Sequence, residues 1–357
     1  MDTCVPGGHD LTVYRTTRSY AWNAAHPPKL PLRPRKLRPA PPVTLFDRTV
    51  ASPIGIAAGP LLSSKWIEAY ARLGYGLLTY KTVRSSTQPA PPAPNLLPCR
   101  LGDPAVTVSR PPRRPDPASF TLAVSLGLPS AAPDAWRADV KRARAKLGAD
   151  QLLVVSVAGT PVPGGDGEQL AHDYALCARW AAEAGADVVE LHLGAPSGAA
   201  ERATMVYEDK ELAGHIVERA RRATAGHPLL AKLGALPGPR ALHELATRLA
   251  PWLDGFVLVG GVTRRVLTPD GKPAFPGPRR ETAEVVGADL YESCRVQIEE
   301  LIAWRKAGAW DRRILAVGGL TTTGRARAVL DAGASAALVA TAALADPLFA
   351  VHFRQAR

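Results

Sequence analysis

Nothing in this chain of 357 residues reads as a membrane span: no uninterrupted apolar run approaches the roughly 20 residues that crossing a bilayer takes. The amino terminus also lacks the apolar stretch of a signal peptide, so a soluble, cytoplasmic protein is expected. Cysteine is sparse. Cys4, Cys99, Cys177 and Cys294 stand apart, with no Cys-x-x-Cys pair and no histidine at zinc spacing. That argues against a disulfide framework, a metal site and an internal iron–sulfur relay. Acidic residues are outnumbered 32 to 44, which leaves a net charge of +12. Much of the excess lies in the first fifty residues, in Arg15, Arg18, Lys29, Arg33, Arg35, Lys36, Arg38 and Arg48. A basic arm can bind nucleic acid or anionic lipid. Here aromatic residues are not interleaved with the charges as in a recognisable binding module, and Pro27, Pro28, Pro31, Pro34, Pro39, Pro41 and Pro42 hold the arm extended. A strap on the protein's own surface is expected, without a nucleic-acid partner.

With 46% hydrophobic and 21% charged residues the chain can bury a large core. Eight short apolar runs recur along it: Pro53 to Ala58, Gly76 to Val83, Leu152 to Ala158, Val188 to Leu193, Leu229 to Leu233, Phe256 to Val259, Ile314 to Val317 and Ala337 to Ala340. Continuous apolar runs suit parallel strands buried on both faces. Amphipathic patterns alternate with them: Ser64 to Leu73, Asp134 to Leu147, Glu168 to Ala184, Glu211 to Ala223, Arg240 to Leu249, Leu290 to Lys306, Thr323 to Ala332 and Pro347 to Arg354. Ser64, Asp134 and Thr323 are candidate N-caps, and Gly74, Gly148, Gly185 and Gly333 stand where helices should stop. The expected fold is therefore α/β, a TIM (β/α)8 barrel over residues 51–357 preceded by an N-terminal arm over residues 1–50. The long, proline-rich segment Arg84 to Pro133 after strand two reads as a lid or substrate loop, in which Phe120 to Leu126 looks like an ordered strand. Strands seven and eight end in Val317-Gly318-Gly319 and Val339-Ala340-Thr341, where such barrels carry a phosphate site.

Several motifs follow one another in a recognisable order: Ala57-Ala58-Gly59-Pro60, Thr79-Tyr80-Lys81-Thr82, Gly102-Asp103-Pro104, Ser125-Leu126-Gly127-Leu128-Pro129, Ser156-Val157-Ala158-Gly159, Glu190-Leu191-His192-Leu193, Lys232-Leu233, Gly287-Ala288, Val317-Gly318-Gly319 and Ala340-Thr341-Ala342. In order and placement the chain resembles the dihydroorotate dehydrogenase family from about Ser52 to Leu344, and most closely its soluble, homodimeric class. The resemblance implies bound FMN, with cofactor contacts at Ala57, Ala58, Gly59, Lys81, Thr82, Lys232, Gly287, Gly318, Gly319, Ala340 and Thr341. Backbone N–H groups at Gly318 and Gly319 suit a phosphate. Lys232 matches a lysine beside the flavin's pyrimidine edge, and Lys81 one that reaches flavin and substrate; either lysine, embedded in an apolar run, needs a partner.

The substrate half departs from the family pattern. Where the soluble class reads Glu-Leu-Asn-Leu-Ser-Cys-Pro-Asn, with asparagines on orotate and the cysteine as base, this chain reads Glu190-Leu191-His192-Leu193-Gly194-Ala195-Pro196-Ser197. A further asparagine position is Val124, and strand six, Val257-Leu258-Val259-Gly260-Gly261, holds no amide. Each unpaired polar group of a buried orotate would cost about 1 to 3 kcal/mol, and Ala195 cannot take a proton. The expectation is an FMN-dependent oxidoreductase acting on a small molecule other than dihydroorotate. Lys81, His192 and Ser125 are the candidate catalytic groups, and Ser125, Leu126, Gly127, Leu128 and Ser197 the candidate substrate contacts. His192 is expected to titrate near neutrality. Tyr80, Tyr207 and Cys99 are further candidates. A divergent dihydroorotate dehydrogenase, or a non-catalytic barrel binding FMN or another phosphorylated ligand, stays open.

Overall fold

The computed structural model describes residues 13–30, 42–102, 105–109, 115–196 and 204–356. Eight parallel strands close into a barrel: Ile54–Ile56, Leu77–Val83, Leu152–Val157, Val188–His192, Leu229–Lys232, Gly255–Leu258, Arg313–Ala316 and Ala336–Val339. Each lies at an expected apolar run, because a strand covered on both faces must be apolar along its whole length. Side chains still alternate. Leu77, Leu152, Val154, Val188, Leu230, Val257, Leu315 and Leu338 point inward and pack as a core of their own. That core is sealed by an antiparallel hairpin, Val43–Leu45 with Arg48–Val50, which inserts Leu45 and Val50. The opposite strand faces pack on the surrounding helices.

Helices cover the barrel at Ser64–Ala71, Pro133–Arg144, Gly167–Glu183, Lys210–Ala223, Pro239–Leu249, Tyr291–Lys306, Thr323–Ala332 and Phe349–Gln355, with a short extra turn at Thr341–Ala345. The expected N-caps are displaced. Thr322 rather than Thr323 caps its helix, accepting from the Arg325 N–H at 3.3 Å. Ser63 occupies the cap position before Ser64, whose own N–H and hydroxyl donate to Asp139 at 2.7 and 2.6 Å. Asp134 sits inside the first turn, behind Pro133 at the first helical position. A proline can start a helix there because that N–H needs no intrahelical partner. Gly333 ends its helix with φ of 125°, a conformation open to glycine at little cost.

The segment after strand two is not a simple loop. Leu96–Arg100, Ala105–Val108 and Thr121–Val124 join Val262–Leu267 and Thr282–Gly287, from beyond strand six, in a second, five-stranded closed sheet. Thr121–Val124 confirms the strand expected near Phe120, whereas the pair at 262–287 was not anticipated. This cap has its own core of Cys99, Val106, Ala123, Val266, Phe275, Ala283 and Val285. Arg280 ties its two halves together. Only 5% exposed, it donates to Ser125 Oγ at 2.9 Å and to the carbonyls of Pro92, Pro94, Ser125 and Pro276 at 2.8 to 3.1 Å.

Losing that guanidinium would leave several buried acceptors without donors. Arg280→Met should lower stability by about 2 to 4 kcal/mol and speed proteolytic nicking of the cap. Denaturant unfolding with limited proteolysis reads both, and a loss under about 1 kcal/mol would show that the cap holds together by its apolar core alone.

Candidate functional site

Between barrel mouth and cap lies a cavity of about 480 Å³, within the range of small-molecule and cofactor sites. It gathers side chains from distant parts of the chain. Ala57, Ala58, Gly59, Lys81, Thr82, Ser125, Leu126, Gly127, Leu128, His192, Lys232, Gly287, Gly318, Gly319, Ala340 and Thr341 all line it. Ser197 lies outside the described residues. Tyr207 also lines the cavity, but Tyr80 and Cys99 do not. Tyr80 points to the helix layer, where its hydroxyl donates to Asp139 at 2.8 Å. Cys99 is buried in the cap core, its thiol pushed up to about 12 by burial, so a thiolate is out of reach at neutral pH.

On the side of strands seven and eight, the N–H groups of Gly318, Gly319, Ala340 and Thr341 donate to no protein acceptor among the described residues. Gly318 and Gly319 have φ of 114° and 66°. A Cβ at Gly319 would meet Tyr291 Cα at 2.5 Å, so the turn that aims these donors requires glycine there. At Gly59 an added Cβ meets nothing within 4 Å, so the backbone there borders open space.

The barrel's inner face changes character towards this mouth. Above the apolar layers stand Thr79, Ser156, Glu190, His192 and Lys232, all at most 7% exposed. Thr82 Oγ1 and Ser156 Oγ are 3.0 Å apart. Among the described residues, Thr79 Oγ1 and His192 Nδ1 have no hydrogen-bond partner, the Glu190 carboxylate has only the Ser156 hydroxyl close by, and no protein acceptor takes a Lys232 Nζ–H bond. Burial raises the Glu190 carboxyl above its ordinary range, with the nearby Lys232 ammonium opposing. Orphaned polar groups in a barrel core call for a ligand or water.

His192 sits at the expected strand end, paired in register with Lys232, but its titration differs from the expectation. Burial, then the Lys232 and Arg84 cations, hold it well below the usual histidine value. The imidazole is therefore neutral at physiological pH. The group near neutrality is Lys81, brought down to about 7 by burial and by Arg84. Lys81 Nζ donates to the carbonyls of Thr82 and Pro129 and lies 5.9 Å from the Tyr20 ring centre. Ser125 Oγ accepts from Arg280, which leaves its own proton available to a ligand.

Sequence reading missed Arg84, Tyr14 and Tyr20, which line the same cavity. Tyr14 and Tyr20 belong to the N-terminal segment, anchored by Asn23, whose carbonyl takes the Trp66 Nε1–H bond at 2.9 Å. A basic, proline-rich stretch gives no local sign of reaching an active-site mouth.

No family model matches the chain. Among curated proteins it is similar to the dihydroorotate dehydrogenase of Dictyostelium discoideum, 26% identical over 334 residues and 88% of each chain. It is also similar to the dihydroorotate dehydrogenase (quinone) of Bordetella parapertussis, 26% identical over 92% of this chain and 86% of that one. A solved Eimeria tenella structure, described as DHODH in complex with ferulenol, superposes with a TM-score of 0.70 at 16% identity, covering 94% of this chain and 88% of that one. The resemblance carried by the motifs thus extends over most of the chain.

Lys81 and His192 make separable contributions to stability. A lysine whose folded value is lowered costs the fold most below that value, and the cost fades over the range where the unfolded chain holds the proton and the native one does not. Its contribution therefore improves as pH rises from about 7 towards the ordinary lysine value. Against Lys81→Met, wild type should gain about 1 kcal/mol per pH unit in that window. His192, also lowered, acts elsewhere: below about pH 6.5 the unfolded chain takes up its proton, and His192→Asn should remove that acid-side loss. Denaturant midpoints from pH 5 to 10 check both, and parallel curves for wild type and Lys81→Met would refute the assignment.

Proposed function

We propose that this dihydroorotate dehydrogenase-like chain is an FMN-dependent oxidoreductase acting on a small molecule other than dihydroorotate. The observation that carries the reading is one cavity with two unlike halves. On one side stand four N–H donors without protein partners among the described residues, together with the Lys232 ammonium. On the other, the positions where the family places amides hold Val124 and His192, and Ala195 is fully buried with its carbonyl bonded to the Val206 N–H.

The residues present fit FMN. Gly318, Gly319, Ala340 and Thr341 would take the phosphate, Lys232 the pyrimidine edge, and the Ala57-Ala58-Gly59 backbone the ring face. Bound FMN supplies a two-electron hydride acceptor or donor at its N5. The chain's own groups set the surroundings. Lys81, near neutrality, holds or releases a proton at Nζ. Neutral His192 offers Nδ1 as a donor or acceptor according to its tautomer. Both groups are buried beneath the cap, which strengthens each of these interactions. A cytoplasmic homodimer belongs to the same reading, drawn from the class its motifs resemble.

The names of the relatives favour a second reading, a divergent dihydroorotate dehydrogenase, and two measurements separate the possibilities. FMN should co-purify or reconstitute. Ala340→Asp, which sets a carboxylate beside the free N–H groups, should weaken its binding by roughly 10- to 100-fold through like-charge repulsion. A wild type that takes up no FMN would overturn the flavin reading.

Anaerobic mixing of the FMN-loaded protein with dihydroorotate should leave the flavin absorbance unbleached on the scale of ordinary turnover, about 1 to 1,000 per second. Bleaching at such rates would establish the second reading instead.

A further inference from the structure

We propose that Arg84, acting with Lys81, binds a carboxylate carried by the substrate, so that recognition in this cavity rests on a guanidinium rather than on amides. The proposal deepens the flavoenzyme reading of the same site and depends on it for the word substrate. Arg84 follows the second barrel strand, lines the cavity and is 6% exposed. Its Nε donates to the Leu128 carbonyl at 3.3 Å and its Nη1 to the Gly159 carbonyl. Both acceptors are uncharged. They fix the plane of the guanidinium without neutralising it, and Nη2 has no acceptor among the described residues.

Lys81, 8% exposed, is treated alike, held by two backbone carbonyls. Among the described residues no carboxylate forms an ion pair with either cation. Asp173, the acid closest in influence to Arg84, accepts the Thr160 N–H at 2.7 Å and does not line the cavity. Glu284 is the acidic residue that does, and its Oε1 takes the Gly261 N–H at 3.0 Å on the cap side.

Two buried cations without a counter-ion are costly, and an anion supplied by the ligand offsets that cost. The planar fork of arginine matches a carboxylate in particular. Arg84 stands where strands two and three open, held to Leu128 and Gly159, whereas the free N–H groups lie at strands seven and eight. A phosphate in that cradle leaves Arg84 unused. Tyr20, whose ring centre lies 5.9 Å from Lys81 Nζ, lines the same cavity.

The probes are benzoate and crotonate against the neutral benzamide and crotonamide. With FMN-loaded wild type, the acids should perturb the flavin spectrum saturably and the amides should not. R84Q should weaken the acids roughly 10- to 100-fold, with FMN content unchanged, and R84K should fall between. The same acids are run by thermal shift on flavin-free chain, where they should raise Tm in wild type more than in R84Q. That arm holds even if FMN fails to bind, so loss of the flavin reading and loss of the carboxylate site show up separately. Should R84Q not fold, as circular dichroism would reveal, R84K carries the comparison. Equal binding of acids and amides, undiminished acid binding in the arginine variants, or no saturable acid binding in either arm overturns the proposal.

Discussion

A closed parallel barrel buries both faces of its strands, and that constraint governs the rest of this molecule. Low in the barrel, inward positions are filled by Leu77, Val154, Val188, Leu230 and their neighbours, and the hairpin at 43–50 closes the end. Near the carboxyl ends the same inward positions turn to Thr79, Lys81, Ser156, Glu190, His192 and Lys232. Such residues weaken a core when unpaired. Their clustering at one end, with several polar atoms lacking partners, marks where the fold gives up stability to hold something else.

The cap covers part of the barrel mouth and forms one wall of the cavity. Its five strands come from two segments separated by about the whole middle of the chain, and their pairing brings Thr121–Val124 against Thr282–Gly287. Arg280 then fixes Ser125 from the far segment. The position of a candidate catalytic hydroxyl is thereby set by a residue 155 positions away, through a side chain that never enters the chemistry. With the cap above and apolar packing below, the buried charges lining the cavity are weakly screened. The same circumstance lowers both Lys81 and His192.

What could be read from the chain beforehand follows from locality. The eight barrel strands were legible because a doubly covered strand is a contiguous apolar run. The free N–H groups were legible as a candidate cradle because Gly318-Gly319 follows strand seven and Ala340-Thr341 follows strand eight, where this architecture turns backbone donors towards the mouth. Strands Val262–Leu267 and Thr282–Gly287 escaped notice because polar residues interrupt them: Thr263, Arg264 and Arg265 break the first and Thr282 and Glu284 the second, so neither is a continuous apolar run. Arg84 read as one more charge in a proline-rich insertion, and Tyr14 and Tyr20 as parts of a basic arm. Their roles depend on chain segments brought together only by folding. The titration of His192 was misjudged for the same reason: it is lowered first by burial in the folded barrel and then by Lys232 and Arg84, neither of which is near it in sequence.

Relatives at 26% identity constrain the two halves of the cavity unequally. A cofactor phosphate is held by backbone N–H groups, which many side-chain changes leave intact as long as the turn survives. A substrate is held by side chains, and each lost amide removes a specific contact. Divergence therefore erodes substrate identity well before it erodes cofactor binding. Beside the Lys81 ammonium, which the resembled family also places there, this chain holds the Arg84 guanidinium, buried and held only by neutral carbonyls. Mere decay of a binding site would favour the removal of such charges, since an uncompensated buried cation costs stability whenever the site is empty. Under the proposed reading, the buried Arg84 guanidinium is the physical reason to regard this cavity as fitted to an anionic ligand rather than abandoned.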